Sequence, residues 1–403
     1  MSDERGPALI TSEAVREDGA APGSLAARAA RVGAEVAAVH ADRVDRDAAF
    51  PREAIDALRR ERLLGAQVPR ALGGLGASIA DVAAMCTALG RHCANTAMIF
   101  AMHHIQAACV VRHGLGVPLL RDYAAELLAG RQALLASATT EAGVGGDVRS
   151  SVCALERDGD RVRIVKNAPV ISYGLDADGI LVTSRRAPDA PSGDQVITLL
   201  RKEDYALEQT GSWDTLGFRG TCSNGFLLTG RAQPAQVFPL PYADISAQTM
   251  LPVSHLLWSA LWLGIALDAL DKARVFVRAE ARRRPGTLPP AAVRLSELAT
   301  LVQGFRGTVN DATREYTAVA DDPEALSGMG LALRMNSLKI AASQGVVQAV
   351  TQAMLICGIA SYRNDSKGSL GRHLRDAYGA MLMINNDRIH GANAQMLLVY
   401  KEP

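Results

Sequence analysis

Between Ser137 and Phe238 the chain changes its period. Short alternating runs, Arg161–Val165, Gly179–Ser184 and Gln195–Leu200, are broken by Asp158-Gly159 and by the stretch from Pro188 to Gly193. That is the pattern of small antiparallel strands joined by turns. On both sides apolar residues recur at three and four positions, the spacing of amphipathic helices. A β unit set between two long helical halves allows few architectures. The reading is mainly α with a central β domain: a flexible leader over 1–25, an N-terminal helical domain over 26–135, an antiparallel β-barrel-like domain over 136–242, and a C-terminal four-helix bundle over 243–403.

The helical signals are specific. Ser24 to Val39, Arg52 to Leu64, Ile79 to Leu89, Asn95 to His113 and Leu119 to Ala129 each carry the three-four stripe, and Gly114–Gly116 reads as a turn. After the β stretch come Ser254–Arg284, Ala291–Ala320, Ser327–Ile356 and Arg375–Tyr400, long enough for an up-down bundle with spare faces for another subunit. The loop Pro69–Gly76 has three glycines but neither GxGxxG spacing nor a preceding strand, so it is not read as a dinucleotide fingerprint.

Composition removes several classes of function. Lys+Arg 43 against Asp+Glu 42 gives a net charge of +1, which supplies no electrostatic pull toward nucleic acid or an anionic membrane. The chain is 48% hydrophobic, and no uninterrupted apolar run reaches the length of a membrane span. Cys86, Cys93, Cys109, Cys153, Cys222 and Cys357 stand apart in apolar contexts without a CxxC pair, as buried thiols in a reducing compartment do. The leader has no hydrophobic core segment and carries Asp3, Glu4 and Glu13, so a cytoplasmic location is the expectation.

Familiar catalytic motifs are missing: no GxSxG, HExxH, Walker loop or kinase set occurs. His103 and His104 are neighbours on an apolar helix and point apart, which suits satisfied or pocket-lining histidines better than metal ligands. The edge Thr139-Thr140-Glu141, Gly143, Gly145-Gly146-Asp147 offers hydroxyls and a backbone that can approach a flat polar ring. Arg282-Arg283-Arg284-Pro285 is either a solvated helix end or a phosphate site.

Taken in order, these segments resemble the acyl-CoA dehydrogenase flavoprotein family along nearly the whole chain. Ala138-Thr139-Thr140-Glu141 with Gly146-Asp147 is similar to the family's first β motif. Val170-Ile171-Ser172 with Ala177-Asp178 resembles the second, and Leu216-Gly217-Phe218-Arg219-Gly220-Thr221-Cys222-Ser223 the third. Cys357-Gly358 and Arg375-Asp376 resemble its C-terminal glycine turn and Arg-Asp pair. The resemblance implies FAD between the β domain and the bundle, in a homotetramer or homodimer. Thr139, Thr140, Gly145 and Ser172 would lie at the flavin, Arg282 at a phosphate and Gly358 at the dinucleotide of a neighbouring copy. Gly146, His104 and Trp258 would line the substrate, with Trp262 and His103 as further candidates.

The implied reaction is dehydrogenation of an acyl thioester, on CoA or an acyl-carrier protein, with α-proton abstraction and β-hydride transfer to the flavin. Electrons would pass to an electron-transfer flavoprotein or to oxygen. One element departs from the family: where a glutamate base is expected, the chain reads Ile384-Asn385-Asn386-Asp387-Arg388-Ile389. Asp387 is the nearest carboxylate and the first candidate base; His255, near the alternative base position at Pro252, is the second. The alternative readings are a flavin-dependent monooxygenase of the same fold, which needs no such base, and a non-catalytic relative.

Overall fold

Ser24 starts the first helix by accepting the Ala27 N–H on its side chain. The computed structural model describes residues 23–401 apart from Gly146, so most of the leader and the expectation placed on Gly146 lie outside the described residues. Helix α1 (Leu25–Val32) runs through a π turn, Gly33–Ala37, into α2 (Ala38–Arg46). Then follow α3 (Arg52–Arg60), α4 (Ile79–Gly90), α5 (Ala94–His113) and α6 (Pro118–Asp122), the last continued as a π segment over Tyr123–Gly130. Ser78 and Asp81 form a reciprocal capping box at the start of α4.

Seven strands among the described residues make two sheets. They are β1 (Leu135–Ala138), β2 (Glu156–Asp158), β3 (Arg161–Ala168), β4 (Gly179–Arg185), β5 (Gln195–Arg201), β6 (Tyr205–Gly211) and β7 (Gly225–Ala232). The sheet orders are β1-β4-β5 and β2-β3-β7-β6. Between these strands the expected antiparallel pairing holds except at β1, which enters from the helical domain and runs parallel to β4, Leu135 opposite Gly179. β4 and β5 are buried along nearly their whole length, the mark of strands covered on both faces. β3 alternates buried and exposed because one of its faces meets water.

The C-terminal part begins with α7 (Tyr242–Ile245) and a π turn, Ser246–Met250, and continues in α8 (Leu251–Arg283), α9 (Ala291–Ala318), α10 (Pro323–Leu326), α11 (Met329–Cys357) and α12 (Ile359–Tyr362). The fourth long helix expected over Arg375–Tyr400 is two helices, α13 (Gly371–Leu382) and α14 (Asn386–Leu397). The break has a local cause. Ile384 takes a left-handed φ of 47°, and the Asn385 side chain accepts the Asp387 N–H as the cap of α14. An Asn immediately ahead of Asn-Asp was a readable start signal.

Two segments, Tyr242–Arg283 and Met329–Cys357, are long and apolar enough to cross a membrane by length and composition. In the first, 94% of the most apolar window is buried inside the protein, so α8 is the core helix of the fold. It crosses α4 at two glycines: a β-carbon on Gly90 would meet the Leu261 carbonyl oxygen at 2.3 Å, and one on Gly264 the Thr87 oxygen at 2.4 Å. The N-terminal helices and the bundle thus share one core.

Candidate active site

The three β-domain motifs of the sequence converge on one seam. Thr140 Oγ1 donates to the Val170 carbonyl at 3.0 Å, which sets the edge after β1 against the segment after β3. Ile171 N–H reaches Asn224 O and Tyr173 N–H reaches Thr221 O, so residues 171–173 lie alongside 221–224. Tyr173 Oη closes the arrangement on Leu135 O at 2.9 Å. Tyr173, Phe218 and Cys222 all have φ between 43° and 49°, a costly conformation for residues other than glycine that persists where surroundings enforce it.

Three hydroxyls are strung along this junction. Thr221 Oγ1 donates to Phe218 O at 2.8 Å; Thr221 and Ser223 are 2.8 Å apart, and so are Ser223 and Ser172. Each hydroxyl owns one proton. With the Thr221 proton on Phe218 O, Ser223 must donate to Thr221 and Ser172 to Ser223. The string therefore ends in an acceptor at Ser172 Oγ, and Thr140, its own proton on Val170, is likewise an acceptor toward any further partner. Ser223 and Thr221 were legible only as letters of a motif, because their coupling to Ser172 spans 51 residues.

The third motif docks the β domain on the bundle. Asp376 is fully buried in α13 and accepts the Phe218 N–H at 2.6 Å. Burial pushes its carboxyl up to about 6, against the opposing charge of Arg372 and the Phe218 hydrogen bond. Gly217 lies so close to α13 that a β-carbon there would stand 2.2 Å from the Arg375 carbonyl oxygen. Gly217→Ala should therefore cost about 1–3 kcal/mol through overpacking. An unchanged denaturation midpoint would show that the two segments can part to admit a methyl group.

Glu141, read as part of the ligand edge, points inward. Its carboxylate accepts from Ser151 Oγ at 2.6 Å and Cys153 N at 2.5 Å, and lies 3.4 Å from Lys166 Nζ. Burial works to raise its pKa, but those hydrogen bonds and the Lys166 charge outweigh it and hold it below the ordinary value. Burial pulls Lys166 down, opposed by the Glu141 charge; its ammonium also donates to Thr183 O and Oγ1. With both partners in hydrogen bonds that favour charge, the pair is ionised. It pins the two ends of the glycine-rich segment.

The bundle side of the seam is the turn between α13 and α14. Arg388 donates to the Gly145 carbonyl, bringing the start of α14 onto the glycine edge. Behind the turn, Lys339 of α11 is fully buried; its Nζ donates to Ile384 O at 2.6 Å and to Asn386 Oδ1 at 2.7 Å. Asn386 Nδ2 goes on to Ser343 Oγ at 3.1 Å. No carboxylate among the described residues pairs with Lys339, and burial lowers its pKa to about 8. Sequence reasoning missed this lysine, which sits inside an apolar helical stripe.

Asp387 lies at the first turn of α14 with its residue surface exposed. His255 is buried in α8 with Nδ1 3.1 Å from Met335 O. Burial, with the Lys339 charge added, holds its pKa down at about 3, so it is neutral. Nδ1–H donating to Met335 leaves Nε2 a lone pair, buried and without a protein partner. Trp258, one turn on, is buried with its indole N–H equally unpartnered.

Other expected residues fall elsewhere. His104 is buried with both nitrogens engaged, Nε2 to Leu63 O at 3.0 Å and Nδ1 to Gln67 Nε2 at 2.9 Å. The expectation for it was a substrate contact; these hydrogen bonds tie α5 to the loop after α3. His103 does the same between Leu64 O and Leu135 N. Arg282 is exposed near the end of α8, 27 residues beyond His255 and hence about 40 Å along the axis. Gly358 is 19 residues past Lys339, with φ 61° and open space beside it. Neither reaches the seam of its own chain. Thr139 is half-buried beside Thr140. An open groove of about 980 Å³ between α1, α4, α8 and α9 shares no residue with the seam.

The seam offers acceptor hydroxyls on the β side, a glycine backbone, and a bundle wall whose buried charge is positive. A flat ring bearing N–H groups fits that donor–acceptor set, which is the test a flavin passes here. The family described as acyl-CoA dehydrogenase, N-terminal domain, matches residues 24–115, and acyl-CoA dehydrogenase, C-terminal domain, matches residues 245–384. Cyclohex-1-ene-1-carbonyl-CoA dehydrogenase of Geobacter metallireducens is 26% identical over 339 residues, 83% of this chain and 86% of that protein. An amino sugar nitrososynthase of Streptomyces peucetius is 26% identical over 342 residues, 82% of each chain. Among solved structures, FMN-bound TdsC from Paenibacillus sp. A11-2 superposes with a TM-score of 0.81 at 21% identity, covering 94% of this chain and 98% of that one. TdsC is called a dibenzothiophene monooxygenase.

Proposed function

The chain belongs to the acyl-CoA dehydrogenase family, and on that premise we propose that it is a flavin-dependent oxygenase, taking up a reduced flavin and oxygen and oxygenating a small organic substrate. One observation carries this reading. At the turn where a thioester dehydrogenase of this family needs a carboxylate, Lys339 places a buried ammonium against Ile384 O and Asn386 Oδ1, and the nearest acid, Asp387, is exposed. An ammonium behind that turn accepts no proton and lowers the basicity of any carboxylate brought near it, so the turn itself offers no strong base for the proton abstraction that starts desaturation. Oxygen activation needs no carboxylate base.

The flavin supplies the electron transfer to oxygen when bound. The chain's own residues orient it and keep water out. Ser172 and Thr140, as acceptors, suit a ring that presents N–H, and a reduced flavin carries an N5–H that the oxidised flavin lacks. FAD would call, beyond the seam, on Arg282 and Gly358 from a second copy. The exposed apolar residues Leu355, Ile359 and Tyr362 around the Gly358 end support such a homo-oligomer.

The likeness to cyclohex-1-ene-1-carbonyl-CoA dehydrogenase favours a second reading, desaturation of an acyl thioester with Asp387 or His255 as base and an electron-transfer flavoprotein or oxygen as acceptor. Two measurements separate them. The oxygenase reading expects oxygen consumption coupled to externally reduced FMN or FAD, and no anaerobic bleaching of the oxidised flavoprotein by a panel of acyl-CoA and acyl-carrier thioesters. Rapid bleaching that is lost in Asp387→Asn would establish the dehydrogenase instead.

A further inference from the structure

Lys339 belongs to no sequence motif discussed above, yet the seam is built around it. It is a long cation with no exposed surface and no paired carboxylate among the described residues. Burying such a group costs several kcal/mol unless its donors are met by well-placed acceptors. Two acceptors meet it, and both belong to the break between α13 and α14. One is the carbonyl of Ile384, a β-branched residue held at φ 47°, which does not adopt that conformation without a restraint. The other is Asn386, the first residue of α14, tied on its far side to Ser343 of the same α11. Further along α14, Asn393 accepts from Asn336 of α11 at 2.8 Å. α14 is thus fastened to α11 at two points about two turns apart, the nearer being Lys339. The next residues after the fastened turn are Asp387 and Arg388, and Arg388 reaches the Gly145 carbonyl.

We propose that Lys339 is a positioning residue: it clamps the Ile384–Asn386 turn so that Arg388 meets the glycine edge at Gly145 and the bundle wall of the flavin site is held in register with the β domain. Lys339 touches neither ligand nor reacting atoms. It acts through the turn, in a direction no residue on the β side can supply, because the hydroxyl string there is anchored to α13 and not to α14.

The test uses Lys339→Met, Arg388→Ala and the double variant in the full chain, with two readouts. Amide hydrogen exchange over residues 384–390 needs no flavin, so it reads the clamp even if the oxygenase reading fails. FMN binding, with the vibronic structure of its visible band, reads the register. Lys339→Met should speed exchange over 384–390 by tenfold or more and weaken FMN about tenfold with a blurred band. Arg388→Ala should weaken FMN by a similar factor. The double variant should bind FMN no more weakly than Lys339→Met alone, since both act on one path. Should Lys339→Met fail to fold, Asn386→Ala keeps the lysine and removes one of its acceptors, and the same increase in exchange is expected. Wild-type exchange over 384–390 in a folded Lys339→Met or Asn386→Ala protein, or losses of FMN affinity that multiply in the double variant, would overturn the proposal.

Discussion

Replacing Glu141 with alanine is expected to lower the stability of the protein by about 3–5 kcal/mol, the usual cost of leaving one member of a buried ion pair alone. Lys166 keeps only 1% of its side chain exposed and would lose its counter-charge, while Ser151 Oγ and Cys153 N–H would lose their acceptor. The damage should concentrate in the segment between Thr140 and Cys153, which those contacts pin. Removing the charge of both partners at once, with Glu141→Leu and Lys166→Met, should recover most of the loss, because a packed apolar pair avoids the desolvation that the ion pair must offset. Urea denaturation of the three proteins decides this. A Glu141→Ala loss under about 1 kcal/mol would mean that Lys166 is adequately held by Thr183 alone.

The second large effect is acid unfolding. Burial lowers His103 to about 4, His255 to about 3 and His373 to about 4, and holds His104 well below the ordinary 6.5; Asp268 partly opposes the shift at His373, and Lys339 adds to it at His255. Between 6.5 and those values the unfolded chain binds protons that the native state refuses. Stability therefore rises with pH through this window, is fully present above 6.5, and is lost as pH falls toward 4. Each deferred protonation costs on the order of 3 kcal/mol by the bottom of the window. Asp376 has the opposite sign: raised to about 6, it keeps a proton that the unfolded chain gives up above 3.8, so it penalises folding as pH rises through that interval. Several histidines outweigh one aspartate, and the sum rivals the whole stability of a typical domain. A cooperative loss of structure between pH 6 and 4, followed by far-UV circular dichroism, is the expected result. A chain still folded at pH 4 would show that these imidazoles can open to water.

The helical period made α4, α5, α8, α9 and α11 legible within a few residues, since long stripes report burial directly. The strands β3, β4 and β5 were equally plain, although only β3 alternates in burial, β4 and β5 being covered on both faces. β6 and β2 were not, because short strands with exposed faces carry little hydrophobic signal. The break at Ile384 was overlooked for a different reason: apolar spacing continues across it, and only the Asn385 cap marks the new helix.

The order of the motifs was enough to indicate the family and the three-part fold, because each motif is a local string whose backbone needs are written in adjacent letters. Which atoms do what at the seam was decided by the tertiary structure alone. That Glu141 faces inward, that Ser172 ends a proton string as an acceptor, that His104 is held by the Leu63 carbonyl and the Gln67 amide, and that a lysine stands behind the turn where an acid was sought all depend on partners 10 to 51 positions away. Hydrogen bonds and desolvation act between neighbours in space, and the period of a sequence reports which face is buried without saying what that face meets.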